Sequence, residues 1–496
     1  MSKKVLCLIL AMVLVLSSSA ATVFAGQPDR TYTYEGTTPV PSTNAYQVKL
    51  IVDENVMGIT QLQEPRDIFV DGQDRVFIMD SGNCRVVILN EDYKCIKILE
   101  EFKYGEKVIT LAEGADGLFF SETDHMLYIC DTENNRVLKC DLEGNVEKIF
   151  VKPESQLLNA DQPFKPKKII VDNMGILFVT SGSVNTGALM IDGEDNEFLG
   201  FYGTNRLKQT AAMKVERMWR SILSKSAQDM SGVTFQPVEF NNLFWSEDRF
   251  IYTVSPIVES VASSISKLNA LGNNVFPKNI DMYQLQQDRK IKGMVLQDIT
   301  VDKEGAITFV DMTTGHIFQY DEGCNLLAVF GGLGHQKGLF SQPISIECDS
   351  ANRLLVLDAQ KRTITVMEQT FYGQMIRSAN YLYNQGLYEE SIEPWMEVLR
   401  MNANYTQAYM GLGKAYMSMG DYAKAMDYFK LGKDPAGYGE AKAALRDQKI
   451  RENFALFAAA VAIILVGILF YEKVVELFSD LFWYIGKLFR KRKGGA

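Results

Sequence analysis

The stretch DSGNCRVVILN, residues 80–90, gathers an acid, an amide, a thiol and a guanidinium (Asp80, Asn83, Cys84, Arg85) ahead of a run of β-forming residues. A carboxylate and a thiol this close suit general-base or nucleophilic work when a third group activates the sulfur. The phrase returns as DTENNRVLKCD at 131–141, with Asp131 and Arg136 in the places of Asp80 and Arg85. A catalytic loop has no need of a duplicate, whereas a turn that closes every unit of a repeat does. Asp311 in DMTTGH and Asp358 in DAQKRT are weaker copies, the first with His316 where the arginine stood. Asp80, Arg85, Asp131, Arg136, Asp311 and Asp358 are therefore expected to be structural: the acid accepts turn amides, Gly82 or Asn83 takes the left-handed conformation, and the arginine pairs with the acid across the turn.

Other reactive groups are sparse. The three histidines, His125, His316 and His335, fall in a hairpin turn, a second turn and a linker, too scattered to build a three-imidazole zinc site. There is no Gly-x-Ser-x-Gly elbow, and FGGLGH at 330–335 does not open a helix as a phosphate loop would. No catalytic residue, metal ligand or cofactor is assigned. A net charge of −10 argues against a nucleic-acid partner, which requires a cationic surface. Cys84, Cys95, Cys130, Cys140, Cys324 and Cys348 lie in β-rich segments, where a buried thiol packs as a small hydrophobe; their disulfide state stays open.

The elements that carry these residues repeat. A two-strand phrase recurs six times, at 68–79, 118–130, 169–179, 243–252, 299–310 and 346–357, each followed by a turn and further β-forming runs. Units of about 45–50 residues with four short strands predict an all-β propeller of six blades over residues 45–370. An annular sheet must close on itself, and Tyr46–Val52, ahead of the first blade, is placed to supply the outer strand of the sixth. Residues 207–226 read as a helical insertion whose Met213, Met218, Trp219 and Ile222 pack down on the propeller. Aligning the inner strands puts Arg66, Asp116, Lys167, Asn241, Gln297 and Ile344 at equivalent positions around the channel mouth. Five of the six are polar, which suits a small polar or carbohydrate ligand as well as a solvated rim.

EPRDIFVDGQDRVFIMDSGNCRVVILN (64–90) and FGGLGHQKGLFSQP (330–343) resemble NHL-repeat propellers. Enzymes of that class imply an alternative activity, a lactonase-like hydrolase or lyase acting on a small sugar-derived substrate. Their metal sites need carboxylates or imidazoles around the channel, where this chain places the cations Arg66 and Lys167.

Beyond Phe371 the apolar period becomes helical. Gly386, Tyr388, Ser391 and Trp395 are echoed 34 residues later by Gly420, Tyr422, Ala425 and Phe429. With AYMGLGKAYMSMGDYAKAMDYFKLG (408–432), residues 372–450 resemble tetratricopeptide repeats, C-terminal all-α units that dock on the propeller or on another protein.

The two ends complete the domain plan. Residues 1–25 read as a signal peptide, with Lys3 and Lys4, an apolar run and small residues before Ala25. Residues 454–471 form an uncharged run long enough, as one transmembrane helix, to cross a hydrocarbon core. Residues 472–496 read as a cytoplasmic amphipathic basic tail lying on the membrane. The expected localisation is the cell membrane, single-pass, with the bulk of the chain extracellular. The whole resembles membrane-anchored propeller–repeat proteins of Gram-positive bacteria that accompany sugar-uptake transporters, implying a protein partner in a transport complex. The expected function is a binding or scaffold protein rather than an enzyme, its propeller and helical-repeat surfaces serving protein–protein or ligand recognition.

Overall fold

Short β-forming runs separated by Asp, Gly and Asn turns cannot bury both faces alone, so each folds back as an antiparallel sheet and stacks on the next. The computed structural model describes residues 31–493 apart from 36–37, 160, 183, 185–186, 204–239, 256–263 and 277–293. The expected signal peptide, 1–25, and the expected helical insertion, 207–226, lie outside the described residues.

Six sheets form the blades of a propeller. The inner strands, in order, are Pro65–Val70, Leu118–Ser121, Pro166–Val171, Asn242–Trp245, Leu296–Val301 and Pro343–Cys348, and the sixth packs back against the first. Blade 4 has three strands among the described residues. Blade 6 is completed by Tyr46–Val52, which pairs with Thr363–Gln369 so that Val52 stands opposite Ile364. The N-terminal strand thus closes the ring as the sequence predicts. The hairpin Tyr32–Glu35 and Thr38–Pro41 extends blade 5 outward. Apolar side chains fill the seams between blades, as where Phe77 and Met79 of blade 1 meet Phe120 and Ile129 of blade 2. The six cysteines named above are free thiols.

After the last blade come helices α1 (Phe371–Asn384), α2 (Tyr388–Met401), α3 (Thr406–Ser418), α4 (Tyr422–Leu431) and α5 (Pro435–Glu452). Ser391 and Ala425 are fully buried small residues, each followed one turn later by a buried ring, Trp395 or Phe429. That arrangement lets successive helices approach closely.

The helices dock on blades 5 and 6. Tyr372, Ile376 and Tyr405 share a core with Tyr46, Phe330 and Phe340, and the Tyr405 hydroxyl donates to the Leu327 carbonyl at 2.7 Å. Arg377 of α1, nearly buried, reaches Asp302 at 2.7 Å and Glu304 at 2.8 Å on blade 5. Asn402 donates to the Ser42 hydroxyl at 2.8 Å, tying the segment before the closing strand to the same helices.

The apolar run 454–471 differs from the expected single span. It divides at Phe470, where the backbone leaves helical geometry (φ −108°, ψ 14°), giving α6 (Phe454–Leu469) and α7 (Tyr471–Lys493). No single helix among the described residues is long and apolar enough to cross a membrane, though α5 and α6 together, bent by 61°, satisfy length and composition. The bend falls at Asn453, whose side-chain amide donates back to the Lys449 carbonyl at 2.8 Å.

Candidate functional site: the propeller channel

The expected ring forms one surface. Arg66, Asp116, Lys167, Asn241, Gln297 and Ile344 all line a single cavity of about 770 Å³ at the mouth where the inner strands begin, joined there by Glu64, Gln342, Gln360 and Arg362. The strands reach this arrangement by a shared irregularity. Pairing shifts register between Pro65 and Asp67, Pro166 and Lys168, Leu296 and Asp298, and Pro343 and Ser345. The residue passed over is in each case the ring member, and such a bulge turns it toward the mouth instead of into the alternation of the strand. Arg66 lies 4.0 Å from Asp116 of the next blade, and the Asn241 amide donates to the Leu296 carbonyl at 2.7 Å. Burial pushes the Asp116 carboxyl up, against the pull of Lys168 and Arg66.

Immediately below lies a second layer that ring alignment by itself does not reveal: Asp67, Gly117, Lys168, Asn242, Asp298 and Ser345, one per blade. Lys168 pairs with Asp67, and the Ser345 hydroxyl sits 3.1 Å from Asp67 Oδ1 and 2.6 Å from Asp298 Oδ2. Backbone N–H groups complete the plug, with Leu118 donating to Asp67 at 3.0 Å and Ile346 to Asp298 at 2.8 Å. A hydroxyl carries one hydrogen and donates to one of its two acids at a time. Burial pushes the Asp298 carboxyl up to about 6, against the pull of Lys168. Burial alone would lower Lys168, but Asp67 and then Asp298 override it and keep the ammonium charged. Gly117 is required here: a Cβ would lie 2.4 Å from the Lys167 carbonyl oxygen, so only glycine lets blade 3 approach. The signal in the sequence was the ionisable residues Asp67, Lys168 and Asp298 inside otherwise apolar inner strands.

Two residues further along the strands comes a third layer, Phe69, Phe119, Ile170, Phe244, Thr300 and Glu347. Phe69 and Phe119 meet edge to face at 5.2 Å. Thr300 donates to Glu347 Oε2 at 3.3 Å. This layer opens into a second cavity of about 800 Å³ at the opposite mouth.

The turn residues occupy other ground, away from both cavities. Asp80 is fully buried and accepts from the Gln63 N–H at 2.7 Å, Asn83 at 2.8 Å and Arg85 Nε at 2.7 Å, while Arg85 also donates to the Thr60 carbonyl at 3.0 Å. Asp131 repeats the set with Ala112 N–H at 2.9 Å, Asn134 at 2.9 Å and Arg136 at 2.7 Å. In blade 5, Asp311 accepts from the Val295 N–H at 2.9 Å and from the Thr314 hydroxyl, with His316 beyond. In blade 6, Asp358 accepts four backbone N–H groups, those of Ser341, Gln342, Gln360 and Lys361. Each acid thus clamps the linker that enters its blade to the turn after the second strand. The left-handed residue differs from expectation. It is Cys84 (φ 51°), matched by Asn135 (φ 55°) in blade 2, because the 3₁₀ turn Ser81–Asn83 comes first. Gly82 serves close approach, since a Cβ there would meet the Gln63 carbonyl oxygen at 2.8 Å.

Among the described residues no group of three or more His, Cys, Asp or Glu side chains is placed to hold a metal ion. What the ring and plug provide is a rim of amides and cations over an internally paired floor.

No family model matches the chain, and no curated protein matches it. Among solved structures, the chain is similar to a gluconolactonase from Xanthomonas campestris at 13% identity, covering 68% of this chain and 99% of that one with a TM-score of 0.39. A virginiamycin B lyase from Staphylococcus aureus matches at 13% identity, over 66% of this chain and 88% of that one, TM-score 0.35. The WD40 β-propeller domain of Doa1 matches at 10% identity, over 66% of this chain and 98% of that one, TM-score 0.35.

Proposed function

We propose that the chain is a membrane-anchored extracellular binding and scaffold protein, with the cavity at the Arg66 mouth as its ligand site and the docked helices as a second recognition surface, accessory to a membrane transport complex. The observation that carries the ligand site is the convergence of one residue from each of six blades, four of them at bulges, on one cavity whose floor is an internally paired plug. A cavity of this size accommodates a small molecule, and its amides, with Arg66, Lys167 and Arg362, suit hydroxyl-rich or carboxylate-bearing ligands. We read the blades as NHL-type repeats and the helices as tetratricopeptide-type repeats. The anchoring reading is supported by α6, an uncharged helix whose side chains have no protein cover, such as Ile463 at 72% and Leu469 at 78% exposure. Such a surface calls for an apolar environment. The extracellular reading is supported by residues 1–25, with Lys3 and Lys4, an apolar run and small residues before Ala25.

The reading is tested on the full-length chain in maltoside micelles by thermal shift with gluconate and glucose, alongside elemental analysis. A ligand-dependent rise in melting temperature that disappears in the R66A/K167A double variant is the expected result. Stoichiometric calcium or zinc together with hydrolysis of gluconolactone would instead establish the lactonase-like alternative. Absence of any shift by either sugar removes the ligand-site reading.

A further inference from the structure

The mouth opposite the Arg66 ring has a different chemistry. Its innermost layer holds the rings of Phe69, Phe119 and Phe244, all lining the cavity with the neighbouring Trp245. Glu347 is the only ionisable side chain in that layer. Its one hydrogen bond is the long one from Thr300, and it has no ion pair among the described residues. Above it, Lys168 is already paired with Asp67. Rim acids that also border the cavity are engaged elsewhere: Asp71 with Arg75 at 2.7 Å, Asp248 with Lys267 at 2.9 Å, and Asp349 with Arg353. Glu247 and Glu322 add negative charge at the edge, where the cations Arg249 and Lys303 also stand.

A carboxylate at the end of an aromatic funnel, with its own cation missing, is complementary to one kind of guest. The ring faces attract a positive charge carried on an apolar shell, and the acid neutralises it without demanding strong hydration. We infer that the cavity at the Glu347 mouth binds a small alkylated ammonium ion, its cationic head against Glu347 and the aromatic layer. The cavity of about 800 Å³ has room for such a molecule. The site is separated from the Arg66 cavity by the plug, so it stands independently of the ligand proposed there. Burial, followed by the charges of Asp298 and Asp67, pushes the Glu347 carboxyl well above the usual range, so that a bound cation takes the place of the carboxyl's proton.

Isothermal titration of the full-length chain in maltoside with choline, and with its neutral isostere 3,3-dimethylbutan-1-ol, tests this. Choline is expected to bind saturably and about tenfold or more tighter than the isostere, because only the charged guest gains the ring and carboxylate attraction. Glu347→Gln should lower that preference severalfold, leaving only the ring attraction, while the melting temperature shows the fold intact, and Trp245→Leu should weaken both guests. Equal binding of choline and the isostere, unchanged choline affinity in Glu347→Gln, or no saturable heat up to roughly tens of millimolar choline would each overturn the assignment.

Discussion

At the scale of single residues, the same clamp is built twice with different exposure to water. The Arg85 side chain is 6% exposed and that of Arg136 18%, while both acids are buried. Replacing a buried acid removes the buried counter-charge of its guanidinium, leaving Arg85 only the exposed Glu100 at 3.6 Å, and the penalty grows as water is excluded. Asp80→Asn should therefore destabilise by about 3–5 kcal/mol and Asp131→Asn by less, about 1–3 kcal/mol, as read from urea unfolding of the two variants. Equal losses would show that the backbone N–H bonds, common to both, dominate over the ion pair. The acids were legible in the sequence because the phrase repeats. The residue that adopts positive φ was not, since glycine and asparagine are the usual choices and Cys84 takes the position only after a 3₁₀ turn has formed.

Elements show a second reason why part of the site was hidden. Each inner strand announces itself by β-forming residues, and aligning six of them locates the mouth. The bulge that lets two successive residues, such as Arg66 and Asp67, both face the channel leaves no mark on composition, so the plug beneath escaped. Docking of α1 illustrates contacts that join distant parts of the chain. Arg377 inserts between Asp302 and Glu304, and Asp302 at the same time caps the turn of blade 5 by accepting from the Glu304 and Ala306 N–H groups, both at 3.0 Å. Arg377→Ala is expected to weaken docking by about 2–4 kcal/mol, because it leaves a buried carboxylate unpaired. Hydrogen exchange should accelerate in α1 and α2 while the inner strands keep their protection. Faster exchange spread evenly over the propeller would instead mean that the helices are integral to blade closure.

For the whole molecule, the sequence predicted a closed ring of six blades and the strand that seals it, because annular sheets leave no free edge and one β-forming run was spare. The break in the apolar run at Phe470 was not predicted, since hydropathy is insensitive to a local change of backbone angle. Closure makes a sharp prediction. A chain beginning at Asp53 lacks Tyr46–Val52, exposes the edge of Thr363–Gln369 and removes Tyr46 from its stacked contact with Phe330 at 4.5 Å. It is expected to lose cooperative melting and to associate, as followed by calorimetry and size-exclusion chromatography. Retention of a sharp transition would mean that the docked helices alone hold blade 6.

The same strand orders events during synthesis. Gln47, which donates to Glu368 across the seam, waits for a partner 321 positions later in the chain. Blades 1 to 4 and the four inner strands of blade 5 consist of neighbouring strands that pair as they emerge, but the last seam requires nearly the entire propeller to be made first. Until then Tyr46–Val52 is an unpaired strand tethered to a growing polypeptide, and the apolar residues it will cover stay open to unwanted partners. Residues 363–369 release that hold, and the docking helices follow at once, so ring closure and capping converge into one late, committing step of folding.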